Sequence, residues 1–245
     1  MTNHSTMKLG RAGVVHLPAR RRMAELMAAK LPAPLDAVDN TGGVTGWGMM
    51  LNDRLGCCTV AGLAHSLQVV TRNAQTTMLT PSDGIVLAGY ESLCGYVPAQ
   101  PATDLGGVET SILMQVGIDG FAGQVLSGWA SPDPADLQAV KQCISLFGCV
   151  YMGAELPMSA QNQDVWQTVR GDGDGGVWGG HCMVAVAYDP QYVTFITWGQ
   201  LKRATWAWWL RYVDEAHALL WQVGLQAFPA STSTELLDVL RDETT

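Results

Sequence analysis

Apolar residues recur at helical spacing through the first half of the chain. Beyond Cys58 the i, i+3, i+4 pattern of an amphipathic helix is carried by Val60, Leu63, Ala64, Leu67 and Val70. The same spacing predicts helices over residues 82–95, 107–120 and 133–147, the last with Asp133 as its N-cap. We therefore expect a mainly helical first half, in which Cys58 lies at the N-terminus of a helix that is buried on nearly all sides.

The pattern changes after Gly148, where short apolar runs replace the helical spacing. Residues 149–153, 182–188 and 192–198 form such runs, and turns containing proline or glycine separate the later two and follow the last. Runs of this length between turns are typical of strands. The second half of the chain is therefore expected to be mainly sheet.

The composition is that of a compact globular protein, since 48% of the residues are apolar and 15% are charged. Its 245 residues are enough for one large domain or two lobes. The sequence has neither the run of about 18 apolar residues that a membrane-spanning helix needs nor the apolar segment of a signal peptide. The six cysteines have no regular spacing, which favours reduced thiols inside a cell. We expect no membrane contact and a cytoplasmic or virion-associated location.

The net charge of −8 is unevenly distributed. The first 30 residues carry +5, so the remainder carries −13. An acidic body argues against nucleic-acid binding by that body. We interpret residues 1–41 as a basic arm, with a short helix near residues 20–30, lying outside the body. The basic run at residues 20–22 is either a solvated helix end or a site that docks onto an acidic partner: the body itself, another subunit or packaged nucleic acid.

Cys58 is a candidate nucleophile because a helix N-terminus favours the thiolate. A cysteine nucleophile also needs a base within hydrogen-bonding reach. Of the five histidines, His181 is the best candidate, since it follows the glycine-rich stretch 171–180 and begins an apolar strand that can face a cleft. We expect His65 to be too far along the Cys58 helix, and His217 to be exposed on a helix.

No metal or cofactor is expected. The sequence has no Cys-x-x-Cys pair or histidine cluster at zinc-binding spacing. Asp172 and Asp174 lack the anchoring glutamate of a calcium loop, and the glycines around them favour a flap instead.

Two sequence stretches are similar to the histidine region of papain-like cysteine peptidases. Gly179-Gly180-His181 opens a run that ends at Tyr188, and Thr197-Trp198-Gly199 follows. Upstream, Asn52 precedes Cys58 by six residues, the spacing of the oxyanion glutamine and the nucleophile in that family, and 123 residues separate Cys58 from His181. The chain resembles this superfamily over about residues 42–215, and a bacterial or phage-borne branch of it more than papain itself.

The resemblance implies an α+β fold with two lobes and a cleft between them. Its papain-like domain would cover residues 42–230, with a helical lobe over about 42–147 and an antiparallel sheet or barrel lobe over about 148–230. Residues 231–245 would form a C-terminal helix or tail. Cys58 would attack a carbonyl carbon, His181 would protonate the leaving group, and Asn52 would stabilise the oxyanion.

Three positions depart from the family pattern. Asn52 stands where the family has glutamine, and it keeps an amide donor on a shorter side chain. Ile196 stands where the family has the asparagine that orients the histidine, so either Thr197 is the partner of the imidazole or the imidazole has no orienting partner. Cys57 adjoins the nucleophile and is either a buried filler or an oxidation partner.

The sequence therefore leaves function open between classes. The first is a cysteine peptidase or amide hydrolase that forms a covalent thioester with a peptide or protein substrate. The second is a catalytically inactive structural or assembly protein on the same scaffold, of a phage or virus-like particle, that holds its neighbours through the basic arm. An acyl transferase that passes the thioester to an amine is a third.

Overall fold

The computed structural model describes residues 6–15, 33–74 and 77–224, apart from the side chain of residue 172. The basic run at residues 20–22, the helix expected near 20–30 and the C-terminal segment 231–245 lie outside the described residues, and they stay predictions. None of the helices in the described ranges is long and apolar enough to cross a membrane.

The helices of the first half follow the predicted pattern with small shifts at their ends. They are α1 (Cys58–Ala74), α2 (Asp83–Cys94), α3 (Glu109–Asp119) and α4 (Leu137–Phe147). A further helix, α5 (Trp206–Tyr212), lies among the strands of the second half. Helix α1 begins at Cys58, as predicted, and all but its last three residues are buried. The predicted N-cap of α4 is wrong. Asp136 caps it by accepting from two backbone N–H groups, while the Asp133 carboxylate closes the preceding turn.

The strands form one eight-stranded sheet within the described part of the chain. They are β1 (Val38–Asp39), β2 (Leu126–Ala130), β3 (Val150–Pro157), β4 (Val165–Trp166), β5 (Val177–Tyr188), β6 (Tyr192–Thr197), β7 (Gln200–Thr205) and β8 (Val213–Trp221). The order across the sheet is β2-β8-β3-β5-β6-β7-β4, and β1 also pairs with β5. Every pairing is antiparallel except that of β4 with β7. The predicted α+β class is confirmed.

The stretch around His217, residues 214–217, was predicted to be helical, and that prediction is wrong because it belongs to strand β8. Residues 213–221 pair with β3 on one side and β2 on the other. A core covers each face of the sheet at β8, so this strand is buried on both faces and its sequence lacks the alternation that identifies strands. His217, expected to be exposed, is consequently buried on β8.

The sheet separates two cores because neighbouring residues of a strand point to opposite faces. On β3, Tyr151 belongs to a core shared with residues of α1, α2 and α3, whereas Val150 and Met152 belong to a core shared with residues of α4 and α5. The three tryptophans of α5 lie inside the second core. Gly62 lets α1 approach the sheet closely, since a Cβ there would lie 2.9 Å from the Tyr151 ring. This packing fixes the N-terminus of α1 against β5.

Candidate active site

Cys58 lies where the N-terminus of α1 meets strand β5. Its side chain is buried, and its Sγ accepts a hydrogen bond from the backbone N–H of Cys182, 3.4 Å away. The backbone of Gly10 also hydrogen-bonds to the Cys58 sulfur. Because His181 immediately precedes Cys182 on β5, the strand that carries the predicted base lies against the sulfur of the predicted nucleophile, although no hydrogen bond joins Cys58 Sγ to the His181 ring among the described residues.

The imidazole of His181 is held on one edge and one face. Nε2 lies 2.7 Å from the hydroxyl of Thr197, so the contact expected from the sequence is present. The ring of Trp198 stacks on the imidazole at 4.4 Å between centroids and 17° between planes. Nδ1 is buried and has no hydrogen-bond partner among the described residues. The remaining nitrogen is therefore the one that can serve as a base.

Asn52 lies in the loop before α1 and is buried, but its amide is engaged locally. Nδ2 donates to the backbone carbonyl of Leu55 at 3.3 Å. The structure therefore places Asn52 near the predicted site without aiming its donor at a developing oxyanion. Cys57 is a buried filler whose thiol donates to the carbonyl of Met50 at 3.5 Å, and none of the six cysteines forms a disulfide.

The N-terminal segment, residues 8–12, crosses the site. Three backbone hydrogen bonds hold it, namely Arg11 N–H to Gly180 O (3.1 Å), Ala12 N–H to Gly107 O (2.9 Å) and Gly107 N–H to Gly10 O (2.8 Å). Trp198 Nε1 donates to the carbonyl of Lys8 at 3.2 Å. The expectation that the arm lies outside the body is wrong for these residues, which cover Cys58.

Gly10 fits this path because it has no side chain. A Cβ at this position would lie 1.8 Å from the carbonyl oxygen of Gly56. On the opposite side, a Cβ on Gly106 would lie 1.8 Å from the carbonyl oxygen of Gly10. The N-terminal segment is therefore in backbone-to-backbone contact with both sides of its channel.

Burial favours the neutral forms of both Cys58 and His181 in the closed site. It raises the pKa of the Cys58 thiol to about 12, although the N–H groups of Cys182 and Gly10 oppose the shift. Burial also lowers the pKa of His181 to about 3, and His65 adds to that shift. The low thiol pKa expected from the helix N-terminus is wrong for this arrangement, because desolvation outweighs the helix dipole. At neutral pH the pair is a neutral thiol and a neutral imidazole.

A buried ionic cluster lies beside the two residues, and the sequence interpretation missed it. Arg11 Nε is 3.0 Å from Glu109, and its terminal nitrogens lie 2.7 Å from Asp214 and 2.6 Å from Glu215. His217 Nε2 is 3.4 Å from Glu215. Burial lowers the pKa of Arg11, but the three carboxylates outweigh it, and the net shift is upward.

Within the same cluster, Glu109, Glu215 and His217 bring potential metal-ligand atoms within 4.8 Å of one another. The guanidinium of Arg11 lies against both carboxylates, so a cation of the protein already balances their charge. Burial raises the pKa of Glu109, whereas the contacts with His217 and Arg11 overcome burial and lower that of Glu215.

Comparison with known proteins finds similar solved structures. Xylellain, a cysteine protease from Xylella fastidiosa, matches with a TM-score of 0.65 and 13% identity over 87% of this chain and 96% of its own. Digestive procathepsin L 3 of Tenebrio molitor matches at 0.59 and 12%, over 89% and 77%. The Carica candamarcensis protease CMS1MS2 in complex with E-64 matches at 0.52 and 14%, over 76% and 98%. No protein-family model and no curated protein matches the sequence. At these identities the likeness shows the fold, and it confirms the fold class expected from the sequence.

Proposed function

We propose that this chain, whose fold is that of papain-like cysteine proteases, is a cysteine peptidase held in a closed state by its own N-terminal segment. The observation that carries the proposal is the junction of α1 and β5, where Cys58 meets the strand that bears His181. The imidazole is fixed by Thr197 and Trp198, and its second nitrogen is left without a partner among the residues described. A buried nitrogen without a hydrogen-bond partner calls for an explanation, and a role as the base that accepts a proton supplies one.

The chemistry assigns one role to each group. With the proton on Nε2 and directed at Thr197, Nδ1 of His181 accepts the proton of the Cys58 thiol. The thiolate attacks the carbonyl carbon of an amide, and the imidazolium returns its proton to the leaving amine. The backbone N–H of Cys58, at the start of α1, stabilises the oxyanion, and water then hydrolyses the thioester. Asn52 joins only if its amide leaves the carbonyl of Leu55.

Displacement of residues 8–12 has to precede this chemistry. The segment covers the Cys58 sulfur and takes the backbone groups of Gly107 and Gly180 that an extended peptide would pair with. Once water or substrate replaces it, the desolvation that raises the pKa of Cys58 and lowers that of His181 is relieved. The thiolate–imidazolium pair then becomes accessible near neutral pH.

The test of the proposal is peptide hydrolysis by the full chain carrying Gly10→Ala, which removes the fit of the segment. We expect this variant to release fluorescence from a quenched peptide library. The additional substitution Cys58→Ala or His181→Ala is expected to abolish that release, while Cys94→Ala leaves it. Hydrolysis that persists without Cys58, or its absence from a folded and open variant, would refute the proposal.

The second candidate is the inactive assembly protein, and the engaged amide of Asn52 is the observation that favours it. It predicts an open variant that neither hydrolyses peptides nor shows faster alkylation of Cys58 than of Cys143. It also predicts self-association through the basic arm, seen by light scattering as particles larger than a monomer. A phage or virion setting is part of this candidate.

Thr197 replaces the usual orienting asparagine in this proposal, so it is a positioning residue. In the Gly10→Ala background we expect Thr197→Val to lower kcat about tenfold with little change in KM. Without the hydrogen bond to Thr197, neither the tautomer nor the orientation of the imidazole is fixed. The steady-state constants are measured across pH 5 to 9. Thr197→Ser keeps the hydroxyl and should restore kcat, whereas equal losses for valine and serine would show that packing alone matters.

A further inference from the structure

The side chain of Arg11 fills a pocket made of three carboxylates. Glu109 contributes from the start of α3, and Asp214 and Glu215 contribute from the start of β8. The side chains of Arg11 and Glu109 are almost completely buried, while that of Asp214 is 40% exposed. We call this set, with Gly153 at its base, the guanidinium pocket.

The space in the guanidinium pocket depends on Gly153. A Cβ on this residue would lie 2.0 Å from Arg11 Nε and 2.6 Å from Glu109 Oε1. Gly153 is not among the residues with positive φ, so the glycine is needed for room and not for backbone conformation. Strand β3 thus leaves a cavity deep enough for a guanidinium.

The charge of the pocket selects the ligand. Without Arg11 it would hold three carboxyl groups, with His217 as the one potential cation that contacts them within the described part of the chain. The observed contacts use Nε and both terminal nitrogens of one planar group. This fork arrangement suits arginine, whereas the ammonium of lysine is a point donor at the end of a flexible stem.

The pocket also lies beside the reacting sulfur. Arg11 directly follows Gly10, whose backbone reaches Cys58. The hydrogen bonds to Gly107 and Gly180 involve backbone groups alone and accept any sequence. Discrimination between peptides in this part of the cleft therefore has to come from the buried side chain.

From this geometry we propose that the guanidinium pocket recognises an arginine side chain of the substrate, and that Arg11 is the intramolecular occupant which this arginine replaces. This inference rests on the proposed peptidase function, which makes the bound peptide a substrate. The recognition itself is a binding property of Glu109, Asp214 and Glu215. It therefore has a test that needs no catalysis.

The catalytic arm of the test uses the full chain with Gly10→Ala, or with Arg11→Ala if the first variant does not fold. Quenched peptides carry one arginine at each of the four positions before the cleaved bond, and each is paired with a peptide carrying neutral citrulline there. At one position we expect arginine to raise kcat/KM at least about tenfold, the value of a charge-assisted hydrogen bond. Glu215→Gln and Gly153→Ala should each reduce this advantage to less than about threefold, and the surface control Asp83→Asn should not change it.

The binding arm uses the full chain with Cys58→Ala and Gly10→Ala. A labelled peptide with the sequence of residues 7–13, Met-Lys-Leu-Gly-Arg-Ala-Gly, is titrated by fluorescence anisotropy beside its citrulline form. We expect the arginine peptide to bind at least about tenfold more tightly, and Glu215→Gln to remove the difference.

The two arms separate the failure of this inference from the failure of the peptidase proposal. Arginine-selective binding without hydrolysis keeps the guanidinium pocket and refutes the peptidase. Hydrolysis without an arginine advantage at any position, or an advantage that survives both Glu215→Gln and Gly153→Ala, refutes the pocket. Equal binding of the arginine and citrulline peptides refutes it as well.

Discussion

Replacing Gly10 with alanine is expected to increase the rate at which iodoacetamide alkylates Cys58 by about 10³-fold at pH 7.5. The added Cβ would lie 1.8 Å from the carbonyl oxygen of Gly56. The atoms nearest to it all belong to the backbone of Gly56, so no side chain can rotate away to make room. The N-terminal segment therefore has to leave its channel. The pKa of Cys58 then falls from about 12 toward the ordinary range near 8.5, and the thiolate fraction rises tenfold for each unit.

The matched control for this substitution is Gly13→Ala. Gly13 lies three residues further along the same segment, and a Cβ there would meet nothing within 4 Å. We expect this variant to alkylate at the wild-type rate, as measured by mass spectrometry of peptides containing Cys58 and Cys143. A wild-type rate in a folded Gly10→Ala variant would mean that the segment does not close the site.

Replacing Arg11 with alanine is expected to lower the free energy of unfolding by about 3 kcal/mol. The substitution leaves the carboxylates of Glu109 and Glu215 without the cation that contacts them at 3.0 and 2.6 Å. Breaking a buried pair from one side costs about 3–5 kcal/mol, and we expect the lower end because water can enter the vacated channel. The measurement is urea-induced unfolding at pH 7.

The pH dependence of this loss follows from the two glutamates. The contacts with His217 and Arg11 outweigh burial and hold the pKa of Glu215 below 4.5 in the folded protein. The contribution of Glu215 to stability is therefore present at neutral pH and is lost as the pH falls through this lowered pKa. Removing Arg11 also takes away an interaction that opposes the upward shift of Glu109. Both effects make the difference between wild type and Arg11→Ala largest near pH 7 and smaller below about pH 4.

The exposed cation Arg54 provides a control for the effect of removing the buried Arg11. Its contacts with Asp53 and Asp83 are 3.7 Å long, and its side chain is 66% exposed. We expect Arg54→Ala to change the unfolding free energy by less than about 1 kcal/mol. An equally small change for Arg11→Ala would show that the ionic cluster contributes little to the closed state.

Cys58, His181 and Thr197 were accessible to sequence analysis because each belongs to a local pattern. Cys58 is followed by a continuous helical pattern, and His181 stands between a glycine-rich stretch and an apolar run. The hydroxyl of Thr197 was the nearest replacement for a missing amide. In each case the signal lies within about 15 residues, the range over which periodicity and turn chemistry act.

The ionic cluster was not accessible in the same way. Arg11 and Glu215 are 204 residues apart, with Glu109 about midway between them, and nothing near any of the three marks a partner. The acidic pair Asp214 and Glu215 at the start of β8 was interpreted as part of a helical stretch. Only the pairing of β8 with β3 brings Glu215 to the cleft. Tertiary contacts of this kind override local propensity.

The pKa of Cys58 shows the same limit on a smaller scale. Its place at a helix N-terminus was correctly predicted, and the dipole there favours the thiolate. The sign of the shift is nevertheless set by what covers the sulfur, which is a segment 48 residues upstream. Local position fixes what a group is able to do, and long-range burial fixes whether it does so in the closed state.

Residues 8–12 and the cleft that they fill belong to one polypeptide, so their association is intramolecular. The effective concentration of the segment at the site is then a property of the chain, and dilution does not lower it. Cleavage of the chain between residues 12 and 33 would turn the same contacts into a bimolecular complex. The closed state would then depend on protein concentration, and it would open as the released segment diffused away.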